Sequence, residues 1–315
     1  MSARLEKDQI VEKKIKEKLE TCPQILKDYM LSTENKQSSI TRMSYLRHLM
    51  HYFKFVEDNN LDIYTIKPMH FDRYRDYILH HNGKDCGASL VNTRFSAIIS
   101  FYKFLQKNDL VTSIPCTNDI KIKIPEKESV VYMTDKEVNI LKNNILIGLN
   151  RKNDALIKRD LAIVTLGCST GMRISEISNI DIDDIDFDEQ TIRIIAKGNK
   201  YRIIYIGSNT INAIHDWLKD RQKYVKDDNK ALFVSTKGNR IEPSEIRKML
   251  AKETKDLNKH ITPHKMRSTC AMKLYDKTGD IYLTAQQLGH SNIKNTMIYA
   301  KSTEEKRRRA ADLLD

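Results

Sequence analysis

The sequence predicts a mainly α protein in two parts: a helical bundle, then a larger and mostly helical domain holding a small three-stranded antiparallel sheet. Three observations carry that reading. Apolar residues recur at helical spacing over most of the 315-residue chain. Apolar/polar alternation is confined to one central region, IDIDDIDF, TIRIIAK and YRIIYIG. A charged, proline-bearing stretch at 115–131 breaks the helical period between the two parts. A chain of this length also exceeds the usual size of one hydrophobic core, which favours two domains.

Residues 1–22 are dominated by Lys and Glu, with Leu5, Ile10, Val11, Ile15 and Leu19 at helical spacing, the pattern of a solvated amphipathic lead-in helix. Over 23–114 the stretches 40–56, 69–79 and 90–105 keep the helical period, and Pro68, Gly83 and Gly87 punctuate them. This segment reads as a compact bundle of about four helices. The stretch 115–131, with Pro115, Pro125 and KIKIPEKES, reads as an extended linker. The second domain, 132–315, opens on Thr134 and Glu137, a capping box in which hydroxyl and carboxylate satisfy free amides at a helix start. A buried helix is expected over 160–168, then three short strands with Gly198-Asn199-Lys200 turning between the last two. Helical periods return at 210–224, 243–257, 265–275, 281–288 and 302–314, the last behind a second capping box, Ser302 and Glu305.

Lys and Arg number 54 against 42 acidic residues, a net charge of +12 spread along the chain, which favours a polyanionic partner. The five cysteines (Cys22, Cys86, Cys116, Cys168, Cys270) are widely separated with no CxxC pair. They read as reduced thiols, with neither a disulfide framework nor a zinc site. The charged first twenty residues hold no apolar signal region, and no apolar run reaches bilayer length, so a cytoplasmic protein without membrane contact is expected.

Four segments of the second domain stand out: Gly171-Met172-Arg173-Ile174-Ser175-Glu176, Lys197-Gly198, His264-Lys265-Met266-Arg267, and Leu288-Gly289-His290 followed nine residues later by Tyr299. Each has an ordinary reading by itself. Arg173 and Glu176 fit a helix-surface ion pair, Lys197 a solvated hairpin lysine, and His264 with Arg267 one face of a helix. His290 fits a satisfied core histidine, and Tyr299 a half-buried tyrosine. Taken together and in this order, they resemble the signature of the tyrosine recombinase and integrase family.

That resemblance covers the whole chain. It implies a SAM-like core-binding domain over 23–114, a catalytic domain of the DNA breaking-rejoining fold over 132–315, and the catalytic set Arg173, Glu176, Lys197, His264, Arg267, His290 and Tyr299. Ser268 departs from the many members with a second His at that position, which lies outside the core set. The implied reaction is attack of Tyr299 on a DNA phosphodiester to give a 3′-phosphotyrosyl bond. Planar, permanently charged Arg173 and Arg267 suit the charge that builds on the phosphate oxygens, with His264 and His290 adding hydrogen bonds. His264 is the candidate base for the tyrosine proton, Lys197 by resemblance the acid for the departing 5′-oxygen, and Glu176 orients Arg173 or His264. No metal or nucleotide cofactor is then needed. A metal-dependent nuclease would need clustered carboxylates, and DIDDIDFDE at 181–189 is the stretch to weigh. Its alternation with Ile and Phe fits a half-exposed strand with turns.

The family uses the third long helix of the first domain for DNA, which points to Thr93 and Arg94. Lys103 on that helix, Arg42, Arg47 and Lys54 on the first, and the basic run at 306–309 read either as DNA contacts or as solvated basic faces. The resemblance further implies a clamp of two domains around duplex DNA at a specific site and a tetramer on two recombining sites. The C-terminal helix would dock on a neighbouring subunit, with accessory factors in some programmes. A lead-in of 22 residues is too short to be a folded arm-binding domain, which tilts the reading to a simple recombinase. A type IB topoisomerase-like enzyme and a catalytically silent DNA-binding module are the alternatives. Chromosome-dimer resolution and the integration or excision of a mobile element share this chemistry, and both readings stand.

Overall fold

The computed structural model describes residues 3–80, 87–125, 130–147, 154–195, 201–226, 229–290 and 292–300, with Ala311. Cys86, Lys197 with its hairpin turn, and the helix expected over 302–314 with its capping box and basic run lie outside the described residues. The chain divides into two compact units, Met1–Glu126 and Lys127–Asp315.

The first unit holds α1 (Ala3–Leu19), α2 (Gln24–Ser32), α3 (Ser39–Asp58), α4 (Pro68–His80) and α5 (Ala88–Lys107). Each long helix buries one stripe: Met43, Leu46, Leu49, Tyr52 and Val56 on α3; Phe71, Tyr74 and Ile78 on α4; Val91, Phe95, Ile98, Tyr102 and Leu105 on α5. The core is aromatic, and its hydroxyls are satisfied inside it. Tyr52 and Tyr102 share a hydrogen bond of 2.9 Å, and Tyr102 also donates to the carbonyl of Ile63 at 3.0 Å. Ile114, Cys116, Ile120 and Ile122 pack back on this core. Asn92 clamps the Ile122 backbone from both sides, at 2.9 and 2.8 Å.

The solvated lead-in helix becomes a packed one. Ile15 on α1 is buried, and Val11 and Leu19 pack against the same core. This contact overturns the reading of Arg42 as a DNA contact. Arg42 sits on the side of α3 that meets α1, only 4% exposed, with Nη1 donating to Glu12 at 2.6 Å and Nη2 to the Met30 carbonyl at 3.2 Å. A cation so placed stabilises the bundle and cannot reach a phosphate.

In the second unit the Thr134 and Glu137 capping box forms as expected: the Thr134 amide donates to Glu137 at 2.8 Å and the Glu137 amide to the Thr134 hydroxyl at 3.3 Å. It starts α6 (Asp135–Ile147). The buried α7 (Asp154–Thr170) forms the centre and packs against α6, α9 (Ser208–Arg221) and α11 (Pro263–Thr278). Between α8 (Ile174–Asn179) and α9 lies the antiparallel sheet β1 (Ile185–Asp186), β2 (Thr191–Ile195), β3 (Tyr201–Tyr205), with Ile185 opposite Ile192 and Ile195 opposite Tyr201. The first strand is shorter than its alternation suggests. Asp184 accepts from the Asp181 amide at 3.0 Å and turns 182–184 into a 3-10 turn, the usual competition between Asp side chains and strand ladders. Asp181 also pairs with Arg240, and Asp183 with Lys230 at 2.7 Å, so the first carboxylates of the acidic run are committed to local structure. Among the described residues no three His, Cys, Asp or Glu side chains gather as metal ligands would, and no helix is long and apolar enough to cross a membrane.

The remaining helices are α10 (Pro243–Glu253), α12 (Ile281–Leu288) and α13 (Lys294–Met297). Pro263 opens α11 and Asp280 caps α12 by accepting from Tyr282 and Leu283 at 2.8 and 2.9 Å. Helix α13 is a single turn, too short for any period to announce it.

Arg42→Ala is expected to lower stability by about 2 kcal/mol, because it removes a charge-assisted pair and the packing of a nearly buried side chain between α1 and α3. Arg47→Ala, on the exposed face of the same helix, is expected to change it by less than about 0.5 kcal/mol. Chemical denaturation of the two variants checks this; equal midpoints would put Arg42 on the surface.

Candidate active site

Arg173 reaches the site through a glycine. Gly171, after α7, has φ +65, and a Cβ there would meet Leu288 Cδ2 at 2.6 Å and Cys270 Sγ at 3.2 Å. Only a bare backbone lets this turn lie against α11 and α12. Arg173 then takes the N-cap position of α8. Its amide donates to Glu176 Oε2 at 2.7 Å and its Nη1 to Oε1 at 2.9 Å, so one carboxylate fixes both ends of the residue. Glu176 is nearly buried while the Arg173 side chain is 46% exposed, which leaves the cation facing outward.

Helix α11 supplies His264 in its first turn, exposed, and Arg267 one turn later, buried. Arg267 Nη1 donates to the Gly171 carbonyl at 2.6 Å and Nη2 to the Leu288 carbonyl at 2.7 Å. Burial pushes its pKa down to about 10, with repulsion from Arg173 adding to the effect, so the guanidinium stays charged at neutral pH. Ser268 donates back to the His264 carbonyl at 3.0 Å and faces its own helix.

Helix α12 ends on Gly289, in the left-handed region at φ +65. The His290 amide returns to the Ala285 carbonyl at 3.0 Å, and Nδ1 lies 2.8 Å from the buried Thr296 hydroxyl. Burial lowers the His290 pKa to about 4, and the charges of Arg267, Arg173 and Arg202 lower it further in that order. Tyr299 follows α13, 8% exposed, in a small apolar nest with Ala271 and Leu288 that Val130, Met272 and Ile298 border. It lies close enough to Arg267 for the two to interact electrostatically.

The fold thus brings Arg173, Glu176, Arg267, His290 and Tyr299 into one neighbourhood, with His264 on its rim. A cleft of about 580 Å³ opens there, lined by Arg173, Thr262, His264 and Arg267 together with Arg247 and His260. Sequence reasoning missed those last two and Arg202. Arg247 looks like any exposed arginine of an amphipathic helix, and no sequence signal marks it. For Arg202 a signal existed: it shares the inward parity of β3 with buried Ile204, a position where a charge needs a reason.

In the first unit Arg47, Lys54, Thr93 and Lys103 are exposed. Thr93 also donates back to the Ser89 carbonyl at 2.8 Å. Arg94 is half-buried, its Nη1 meeting the His51 ring nitrogens at 2.9 and 2.8 Å. Burial lowers the His48 pKa, and the charges of Arg94 and Arg47 lower it further.

This site and this helical fold define a DNA strand-transferring enzyme of the tyrosine recombinase class. Residues 131–306 match the Phage integrase family and residues 26–108 match the N-terminal SAM-like domain of phage integrases; the chain belongs to that family. It is similar to tyrosine recombinase XerC of Escherichia coli (strain K12 / DH10B), 29% identical over 271 residues, which cover 85% of this chain and 88% of the relative. It shares its fold with the XerH site-specific recombinase bound to palindromic difH substrate (TM-score 0.72, 18% identity, 88% of this chain and 80% of that one). It shares it also with the Tn1549 transposon integrase in complex with circular intermediate DNA (TM-score 0.71, 19% identity, 91% and 98%).

A histidine whose folded pKa is depressed resists protonation in the native state, so acid favours unfolding. As pH falls from the ordinary value of 6.5 towards about 4, His290 is expected to withdraw stability, and below about 4 no more. Thermal melts across this window should show a shallower acid slope for His290→Gln than for the parent chain; parallel slopes would show that His290 titrates normally.

Proposed function

We propose that the chain cleaves and rejoins DNA at a specific duplex site with Tyr299 as nucleophile. One observation carries this reading: the Arg267 guanidinium ties the turn before Arg173 to the turn before His290, so segments more than a hundred residues apart meet beside Tyr299. The phenol oxygen of Tyr299 attacks the phosphorus and its proton passes to His264, in direct reach or through water. The 5′-oxygen leaves with a proton from Lys197, and the 3′-phosphotyrosyl bond keeps the energy of the broken ester for rejoining.

Arg173 and Arg267 face the charge on the non-bridging oxygens. Of the two roles open to Glu176, orienting Arg173 fits its hydrogen bonds. His290 serves as a neutral donor: its Nδ1 lies 2.8 Å from the Thr296 hydroxyl, and in the tautomer that serves this role Nδ1 accepts from that hydroxyl while Nε2 carries the proton to a phosphate oxygen. Arg47, Lys54, Thr93 and Lys103 are the proposed backbone contacts of the first unit, with Arg94 set beside them by His51. The enzyme works in the cytoplasm, on DNA, as a tetramer on two sites, helped by accessory factors in some programmes.

Tyr299→Phe should bind its site like the parent chain and form no covalent adduct with a nicked duplex carrying a site selected from random-sequence DNA. An adduct that persists on another residue would remove the assignment. Truncation after Lys301 tests the proposed docking of the C-terminal segment on a neighbouring subunit. Single-site binding should be kept while pairing of two sites and coordinated cleavage are lost in gel-shift and recombination assays; a truncated chain that still pairs sites and recombines would make the tail a private cap.

A further inference from the structure

Arg202 stands in β3, the strand that follows the Lys197 hairpin, and its side chain is only 18% exposed. Its Nη1 donates to the Gln287 carbonyl at 3.0 Å, in the last turn of α12. Its Nη2 lies 3.6 Å from Glu176 Oε2, within ion-pair range, and is buried without a hydrogen-bond partner. The guanidinium fills the space a side chain at Gly289 would need: a Cβ there would sit 2.2 Å from Nη1 and 2.7 Å from Cζ. Burial holds the Arg202 pKa below its usual value.

A buried N–H without an acceptor and a partly desolvated cation both cost free energy. An apolar residue at this strand position would avoid both. What the arginine adds is reach, because one rigid fork touches two elements at once: the carboxylate that holds Arg173, and the turn that presents His290. We infer that Arg202 is a positioning residue for strand cleavage, holding Glu176 and the Gln287–His290 turn in register so that Arg173 and His290 converge on one phosphate. It does not touch DNA. Gly289 is then bare for two reasons, its left-handed backbone and the guanidinium lying against it.

The inference rests on the function proposed above, and the test separates the two. Adduct formation is followed in single-turnover mode at saturating nicked duplex, using the full chain and its Arg202→Met, Glu176→Gln and Arg202→Met/Glu176→Gln variants. Arg202→Met should slow the adduct by about tenfold to a hundredfold, the cost of a small misplacement of catalytic groups, with the duplex Kd unchanged. The double variant should be little slower than the worse single one, because both changes break one linkage. A substrate with sulfur at the 5′-bridging position, whose leaving group needs no proton, should restore nothing. Arg202→Lys keeps the charge and gives a second variant if the methionine chain does not melt cooperatively. It should be slow as well, since an ammonium cannot span both partners.

Multiplying effects in the double variant would overturn the inference, and so would a parental rate for Arg202→Lys. Rescue by the sulfur substrate would assign Arg202 to the Lys197 hairpin instead. A parent chain that forms no adduct through Tyr299 would overturn the proposed function, whereas a normal Tyr299 adduct with full-speed Arg202 variants would overturn this inference alone.

Discussion

The Arg267 guanidinium is the joint of the candidate site. It is buried on α11 and uses one nitrogen to hold the Gly171 carbonyl and another to hold the Leu288 carbonyl. Those carbonyls end two helices, α7 and α12, whose unpaired acceptors need donors in a buried setting. Arginine suits this role where lysine does not, because its donors lie in a fixed plane and can serve two acceptors while still presenting charge. The same contacts that finish the fold therefore fix the orientation of the cation proposed to meet the phosphate.

That arrangement leaves positive charge crowded in the free protein. Arg173, Arg202 and Arg267 all act on His290, and Arg173 and Arg202 also act on Arg267. Glu176, shared between Arg173 and Arg202, offsets part of the repulsion. The unit tolerates the remainder because its apolar core, built round α7 with Trp217, Leu232 and Phe233 fully buried, stabilises the backbone that carries the charges. A phosphate entering the cleft meets cations already placed, so little reorganisation is needed as charge builds in the transition state. A neutral His290 fits the same logic, since it donates a hydrogen bond without adding a fourth repelling charge.

The long helices were legible because each buries a continuous stripe, as α3 and α5 do. Where the sequence misled, a local preference was overridden by something period alone cannot show. Lys and Glu dominate α1, yet Val11, Ile15 and Leu19 were enough to seat it, and its Glu12 then drew Arg42 inward. The alternation at 180–187 suggested a full strand, but the Asp side chains bonded their own backbone and left two residues of it. The candidate site was proposed from an ordered set of motifs, and the fold gathers most of them in one place. Arg202, Arg247 and His260 escaped because no spacing rule links them to the others. Only the third dimension places Arg202 against Gly289 or His260 in the lining of the cleft.

The ordinary readings of the motif residues and the functional readings proposed for them rest on the same contacts. Arg173 and Glu176 do form an ion pair, His290 is a satisfied histidine, and Tyr299 is largely buried. An ion pair with a half-exposed arginine holds that arginine aimed outward. A histidine whose Nδ1 is bonded to Thr296 has its ring orientation fixed, which decides where Nε2 points. A tyrosine seated on Ala271 and Leu288 has its ring located by packing, near the arginine proposed to bind the phosphate. On the proposed mechanism the satisfied contacts thus place the reacting groups before substrate arrives, and proximity of that kind lowers the barrier without any further contact being made.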